Sequence, residues 1–452
     1  SVRHEWVTLP RETAGKLSNM LQLTDRDVTP GVLFLRNPSL RNFAPRAGFA
    51  PAAVLELALD RGTLADAIAA AQPPVPLYGQ LMRWLKVYRA IGAHPAWQRP
   101  LPSLPAAGGA RAGRLDPGQA WVALPQLAQR LVVLGDLQPA ADAPAVYAGA
   151  LVDAVRAFQD RHGLVVDGVV GRATIGALEV TPATRAQQIA LTMERLRWTP
   201  LMQGPRMIVV NIPEYVLRAY EVVDGRIRVR SQMRVIVGAA LDRETPLFDE
   251  RMRFVEFSPF WNVPRSIARG ETIPRLRRDP GYWGRQGFEF VDAAGRVDTV
   301  LTAAKLDAVL AGALRIRQRP GPANALGDVK FVFPNDDSIF LHHTPSTGLF
   351  ARARRDLSHG CIRVEDPVAL ACFVMAGAAG WDEAAIRDAM GAGRSRTVAL
   401  PAPLPVLIAY GTVVPKDGRI HFYDDVYGHD ARLQAALAQR RVASTEPGSP
   451  AR

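Results

Sequence analysis

Between Ile339 and Val364 the chain reads IFLHHTPSTGLFARARRDLSHGCIRV, which puts one cysteine, three histidines, two serines and several arginines in one compact span. A thiol attacks a carbonyl as thiolate, so a nucleophilic cysteine needs a proton acceptor within reach and positive surroundings that lower its pKa. Cys361 has both close in sequence: Ser358, His359 and Gly360 precede it and Arg363 follows. Gly360 allows a tight backbone approach. Upstream, His342 closes the apolar run Ile339, Phe340, Leu341, which reads as a short buried strand stopped by Thr344, Pro345 and Gly348. A base at a strand end is well held. After the thiol, Asp366 and Pro367 read as the N-cap and first residue of the buried helix VALACFVMA, whose positive end favours a nearby thiolate.

The same residues admit other readings. A lone buried cysteine is commonly a small hydrophobe. His342, His343, His359 and Cys361 are also acceptable zinc ligands, although neither C-x-x-C nor H-E-x-x-H accompanies them. Alternation along a strand turns His342 and His343 to opposite faces, and the apolar Phe340 on one face and Leu341 on the other do not choose between them as the base.

The six residues S-H-G-C-I-R from Ser358 to Arg363, with L-H-x-T-P upstream from Leu341, resemble the signature of the L,D-transpeptidase catalytic domain, which remodels bacterial peptidoglycan. SPFWNVPRSIARGETIPRLRRDPGYW (258–283), NALGDVKFVFPND (324–336) and RIHFYDDVYGHD (419–430) resemble the large, multidomain, periplasmic members of that family. The chain departs from the family pattern at His343, where relatives carry a small or acidic residue. The resemblance implies Cys361 as nucleophile and His342 as its base. It puts His359, Gly360 and Arg363 in the catalytic turn, with the Gly360 and Cys361 amides as oxyanion donors. Trp261, Asn262, Phe340, His343 and Ser358 are then expected to contact substrate. No cofactor and no metal are implied.

The expected donor is a tetrapeptide stem of peptidoglycan, cleaved before its terminal D-alanine. A second stem as acceptor gives a 3-3 cross-link, water gives an L,D-carboxypeptidase, and a lysine of an envelope protein gives an anchoring enzyme; the residues do not separate these acceptors. A non-catalytic wall-binding protein is the rival from another class, against which the intact Cys361 and His342 stand.

With 452 residues the chain exceeds what one core supports, so two or three domains are expected. A net charge of +12 suggests an acidic partner: nucleic acid, anionic lipid or an envelope polymer. Arginines are spread along the chain without a nucleic-acid motif, so no nucleic-acid partner is expected and an anionic wall suffices. Two cysteines, Cys361 and Cys372, exclude a disulfide scaffold, and Cys372 falls in the apolar helix as a core residue. There is no 18-residue apolar run, and the start at Ser1 fits an export segment removed upstream of a periplasmic monomer.

The elements that must position the site read as follows. Residues 1–123 form an α-helical scaffold and linker, with Trp84 and Tyr88 at core spacing and a Pro, Gly and Ala-rich surface linker from His94 to Gly118. Residues 124–180 carry F-Q-x-x-x-G-L-x-x-D-G-x-x-G-x-x-T and resemble a three-helix peptidoglycan-binding module. Residues 181–205 hold a helix returning to the scaffold. Residues 206–436 read as a mainly β catalytic domain, with Asp224-Gly225 as a hairpin turn; the resemblance makes 262–323 a capping insertion, whose Pro and Gly residues suggest a lid, and residues 437–452 read as a disordered tail.

Overall fold

The structure, a computed structural model, describes residues 51–443 apart from 71, 74, 106–112, 141, 200–203 and 242. The readings made for residues 1–50 and 444–452 lie outside the described residues. Two compact units are present, one running over residues 202–409 and one built from the residues on either side.

The flanking unit begins with helices α1 (Pro51–Asp60), α2 (Leu64–Ala70) and α3 (Pro76–Ala90). It continues with α4 (Leu124–Val133), α5 (Ala150–Arg161), α6 (Arg172–Glu179) and α7 (Pro182–Trp198). Proline at the first turn starts α3, α4 and α7, where its missing N–H is no loss. Tyr78, Leu81 and Tyr88 of α3 share a core with Ala186, Ile189 and Met193 of α7. Between them α4, α5 and α6 enclose their own core of Leu124, Leu127, Leu131, Val155, Phe158 and Leu178.

The stretch from His94 to Gly118, expected as a surface linker, is partly core. Leu115 is fully buried and exchanges both backbone hydrogen bonds with Val170 at 3.0 Å, Leu101 joins the same core, and Trp97 Nε1 donates to the Leu178 carbonyl at 2.9 Å. Isolated apolar anchors in a Pro and Gly background leave no periodicity to read.

The unit over residues 202–409 opens with strands β1 (Arg206–Asn211), β2 (Val216–Val223), β3 (Arg226–Gly238) and β4 (Phe248–Phe257). Asp224 and Gly225 both have positive φ, 51° and 69°, as the expected two-residue hairpin requires. An insertion follows: β5 (Trp261–Asn262), α8 (Arg265–Ile267), a π-helical turn Ala268–Thr272, α9 (Ile273–Arg278), α10 (Gly281–Arg285), β6 (Phe288–Val291), β7 (Val297–Asp298), α11 (Ala303–Ala311) and β8 (Arg315–Gln318). Its strands form a separate sheet in the order β5-β8-β6-β7, and Trp283, Phe288, Phe290, Leu306 and Ile316 give it a core of its own. The Pro and Gly residues that suggested a loop-like lid punctuate a folded subdomain.

The chain then returns through β9 (Val329–Val332), β10 (Leu341–His342), β11 (Asp356–Ser358), β12 (Ile362–Val364), α12 (Pro367–Met375), α13 (Glu383–Gly391) and β13 (Arg396–Ala409). The nine-stranded sheet runs β11-β3-β12-β10-β9-β4-β13-β1-β2, with β3 also pairing β2. Beyond Ala409 the chain re-enters the flanking unit as the hairpin β14 (Val413–Lys416) and β15 (Arg419–Phe422) and the helix α14 (His429–Ala443).

Two expectations change there. The catalytic domain, read to residue 436, ends as a compact unit at Ala409, and the tail read as disordered from 437 continues as helix through Ala443. Asp430 on α14 is buried, pairs with Arg195 of α7 and accepts from Thr412 Oγ1 at 2.6 Å. That is a pairing of charges that hydropathy does not register.

Phe331 on β9 is fully buried and lies opposite Leu341 on one side and Val255 on the other, so it holds β10 in place. Phe331→Ala is expected to destabilise this unit by about 3–5 kcal/mol in a denaturant titration. A loss below about 1 kcal/mol would show that β10 is held by something else.

Candidate active site

The sheet brings the two halves of the motif together through one short parallel ladder: Leu341 pairs Ile362 and His342 pairs Arg363. Ile362 N–H donates to the Phe340 carbonyl at 3.0 Å, so the strand carrying the histidine lies beside the turn carrying Cys361. The turn itself, Ser358 to Cys361, is braced internally. Ser358 is buried; its hydroxyl donates to the Cys361 carbonyl at 2.5 Å and accepts from Gly360 N–H at 3.2 Å. Thr245, also buried, donates from Oγ1 to the Gly360 carbonyl at 2.7 Å and accepts from Gly238 N–H at 2.9 Å. Gly360 has φ 118°, a conformation that side chains strain to adopt, and a Cβ there would lie 3.1 Å from Ile339 Cδ1.

His342 is 4% exposed, and its Nδ1–H donates to the His343 carbonyl at 2.5 Å. In the neutral ring that leaves Nε2 with its lone pair. Burial, with Arg363 adding to it, pushes the imidazole pKa down to about 3, against the pull of the His343 and Leu326 carbonyls. Phe340 packs edge-on to the ring at 5.8 Å. His343 turns elsewhere: it is half-buried over Gly327, and its Nδ1 lies 3.2 Å from Asp328 Oδ2. The two histidines that alternation alone left equivalent are thus unlike in burial and partners.

Cys361 Sγ lies 3.7 Å from the Ser338 carbonyl, to which the thiol donates. Burial pushes the thiol up to about 11, outweighing the Phe340 amide, Lys330 and Arg363, which pull it down. Positive surroundings were expected to favour thiolate, and the cations are present, but desolvation of a charge in a packed site is the larger effect. The N-terminus of α12 is capped by Asp366, which accepts from Ala369 N–H at 2.9 Å, as expected. Arg363 is itself lowered by burial and held up by Cys361, and its Nε is buried without an acceptor among the described residues. Cys372 on α12 is partly exposed, where sequence suggested core.

Other candidates fall in different places. Ser358, expected against substrate, has its hydroxyl engaged inside the turn. Of the Gly360 and Cys361 amides expected to bind an oxyanion, Gly360 N–H is likewise engaged by Ser358. Trp261 packs on the core of the insertion and Asn262 stands exposed beside it on β5. The insertion reaches the turn through Glu271, a residue not singled out from sequence. Its Oε1 accepts from His359 Nε2 at 2.7 Å, and Arg243, 2.6 Å from the same nitrogen, pairs with Glu271 at 3.1 Å. Burial raises the Glu271 carboxyl, yet His359 and Arg243 hold it below the usual range. A lone acid within the arginine-rich run RGETIPRLRR was the available signal. Among the described residues no three His, Cys, Asp or Glu side chains gather as metal donors.

Residues 205–386 match the family model of the L,D-transpeptidase catalytic domain, and residues 123–178 match the model described as "Putative peptidoglycan binding domain". The chain is 33% identical over 253 residues to a "Putative L,D-transpeptidase" of Haemophilus influenzae; the match covers 55% of this chain, which spans about half, 49%, of that relative. Among solved structures, an L,D-transpeptidase from Stackebrandtia nassauensis is similar at 13% identity and TM-score 0.26 over 67% of this chain and 96% of that one. An L,D-transpeptidase from Xylanimonas cellulosilytica follows at 16% identity and TM-score 0.19, over 69% and 100%. Superpositions that loose carry no argument.

A thiol held near 11 reports its own titration in its reactivity. Alkylation of Cys361 by iodoacetamide, followed by peptide mass mapping, should rise about tenfold per pH unit between pH 7 and 10, because only the thiolate reacts. A plateau near pH 7 would mean a thiolate–imidazolium pair in the resting site instead.

Proposed function

We propose that the L,D-transpeptidase catalytic domain carried by this chain is an active cysteine acyltransferase on peptidoglycan, with Cys361 as nucleophile and His342 as proton carrier. The observation that carries the reading is the parallel β10–β12 pairing, which sets a buried neutral imidazole, oriented by the His343 carbonyl, beside the turn of the thiol. Base oriented by a third group and nucleophile on an adjacent turn is the arrangement that covalent acyl transfer uses.

In the first step Sγ bonds to the carbonyl carbon before the terminal D-alanine of a tetrapeptide stem. The thiol proton passes through His342 Nε2 to the leaving amine, and the C–N bond breaks, leaving a thioester and free D-alanine. In the second step an amine of a neighbouring stem attacks the thioester, its proton returns by way of His342 to sulfur, and a 3-3 cross-link forms. With the thiol near 11 and the imidazole near 3, the resting pair is neutral, so the proton leaves sulfur only as the carbonyl is attacked.

Thr245 supports the developing oxyanion indirectly. Its bond to the Gly360 carbonyl fixes that peptide plane, and in a trans peptide the Cys361 N–H then points the opposite way. A single such donor contributes roughly 3–4 kcal/mol to an acyl-transfer transition state. The matched module at residues 123–178 supports retention on the wall, and both domains support a periplasmic or cell-wall location. No helix among the described residues is long and apolar enough to cross a membrane.

Incubation of the full chain with purified muropeptides, read by mass spectrometry, should yield new 3-3 dimers. Cys361→Ala should yield none, and His342→Ala should lose at least a hundredfold in rate. Trimmed monomers without dimers would reassign the acceptor to water, and no change at all would sink the acyl-transfer reading. Thr245→Val should lower the acylation rate tenfold or more, with Thr245→Ser restoring most of it and substrate affinity unchanged; equal loss in the serine variant would remove the hydroxyl from the argument.

A further inference from the structure

The helical run from Arg265 to Arg278 carries five arginines, and the structure sorts them into two kinds. Arg277 pairs with Asp307 at 2.7 Å, Arg278 Nε donates to the Pro274 carbonyl at 3.2 Å, and Arg275 lies 3.8 Å over the Tyr282 ring. Farther along the insertion Arg285, Arg296 and Arg317 each pair with an acid. The side chains of Arg265 and Arg269 have no hydrogen bond or ion pair among the described residues. These two line one open cleft of about 330 Å³ with Ser266, Ala268, Val309 and Leu310.

The cleft is shaped for more than solvent. Gly312 ends α11 at φ 86°, and a Cβ there would fall 1.9 Å from Arg265 Nη2, so the missing side chain is what seats the guanidinium. Two guanidiniums with unengaged N–H donors repel each other unless an anion lies between them, and their planar forks match a carboxylate better than any other biological anion except phosphate. Buried Ala268 and Val309, with Leu310, offer an aliphatic wall beside that anion position. The volume is at the lower end of small-ligand sites.

The cleft lies close in sequence to the residue that reaches the reactive turn. Arg269 shares the π-helical turn Ala268–Thr272 with Glu271, whose carboxylate binds His359, two residues before Cys361. Single π turns recur at functional sites because they re-aim side chains within a helix. We propose that this cleft is a subsite for the free carboxylate of a peptidoglycan stem peptide, whose aliphatic part lies on Ala268, Val309 and Leu310. The choice of ligand rests on the acyl-transfer reading; the anion site rests on the arginines.

The test is binding of a synthetic stem tetrapeptide ending in D-alanine to the full chain carrying Cys361→Ala, by calorimetry, with and without Arg265→Gln and Arg269→Gln together. The double variant should bind at least tenfold more weakly, and the same peptide with its carboxylates amidated should bind both proteins equally weakly. Iodoacetamide, which is uncharged, should still label Cys361 at the wild-type rate when Arg265→Gln and Arg269→Gln are placed in a chain that keeps Cys361, showing an intact fold. Binding within twofold of the parent, or undiminished binding of the amidated peptide, would overturn the subsite. Inorganic phosphate competing with the peptide far better than acetate would overturn it in favour of a phosphorylated polymer. A tenfold loss in a chain that makes neither dimers nor trimmed monomers would uphold the subsite while the acyl-transfer reading falls.

Discussion

The site depends on one two-residue parallel ladder. β10 consists of Leu341 and His342 alone, held between β9 and β12, and without it the histidine and the cysteine turn have no reason to be neighbours. A ladder so short has few hydrogen bonds of its own, so its position comes from packing: Leu341, Phe331 and Ile362 are all fully buried around it. The stability of the core and the geometry of the chemistry are therefore the same quantity at this point in the fold.

That burial has an electrostatic consequence. The packing that fixes His342 and Cys361 also withdraws solvent from them, moving the imidazole far down and the thiol up. Lys330 and Arg363 work in the opposite direction on the thiol and lose. The resting state is a neutral pair, with positive charge kept near enough to stabilise an anion once one forms.

Around this pair, polar side chains are used for shape. Ser358 and Thr245 each hold a carbonyl and an amide of the Cys361 turn or its neighbours, which fixes peptide planes that the backbone freedom of Gly360 would otherwise leave loose. Glu271 extends the bracing outward to the insertion, which carries its own sheet and core. Several arginines of the insertion pair with its acids, and Arg265 and Arg269, which do not, line one cleft.

Residue order alone singled out the candidate reactive groups. The S-H-G-C-I-R run with L-H-x-T-P, the Asp366 cap, the Asp224-Gly225 hairpin and the module motif are local patterns, each legible because the chemistry or the turn needs those types at that spacing. What depended on long-range contacts was not legible. Strand alternation left His342 and His343 equivalent and only the L-H-x-T-P resemblance favoured His342; the tertiary structure added the physical difference, which is burial and partner. It alone engaged Ser358 inside the turn, brought Thr245 and Glu271 to it, buried Leu115 in the module, and returned residues 410–443 to the helical unit through the Arg195–Asp430 pair. Desolvation decided the thiol's charge for the same reason: it sums over atoms from distant strands, and no window of residues contains that sum.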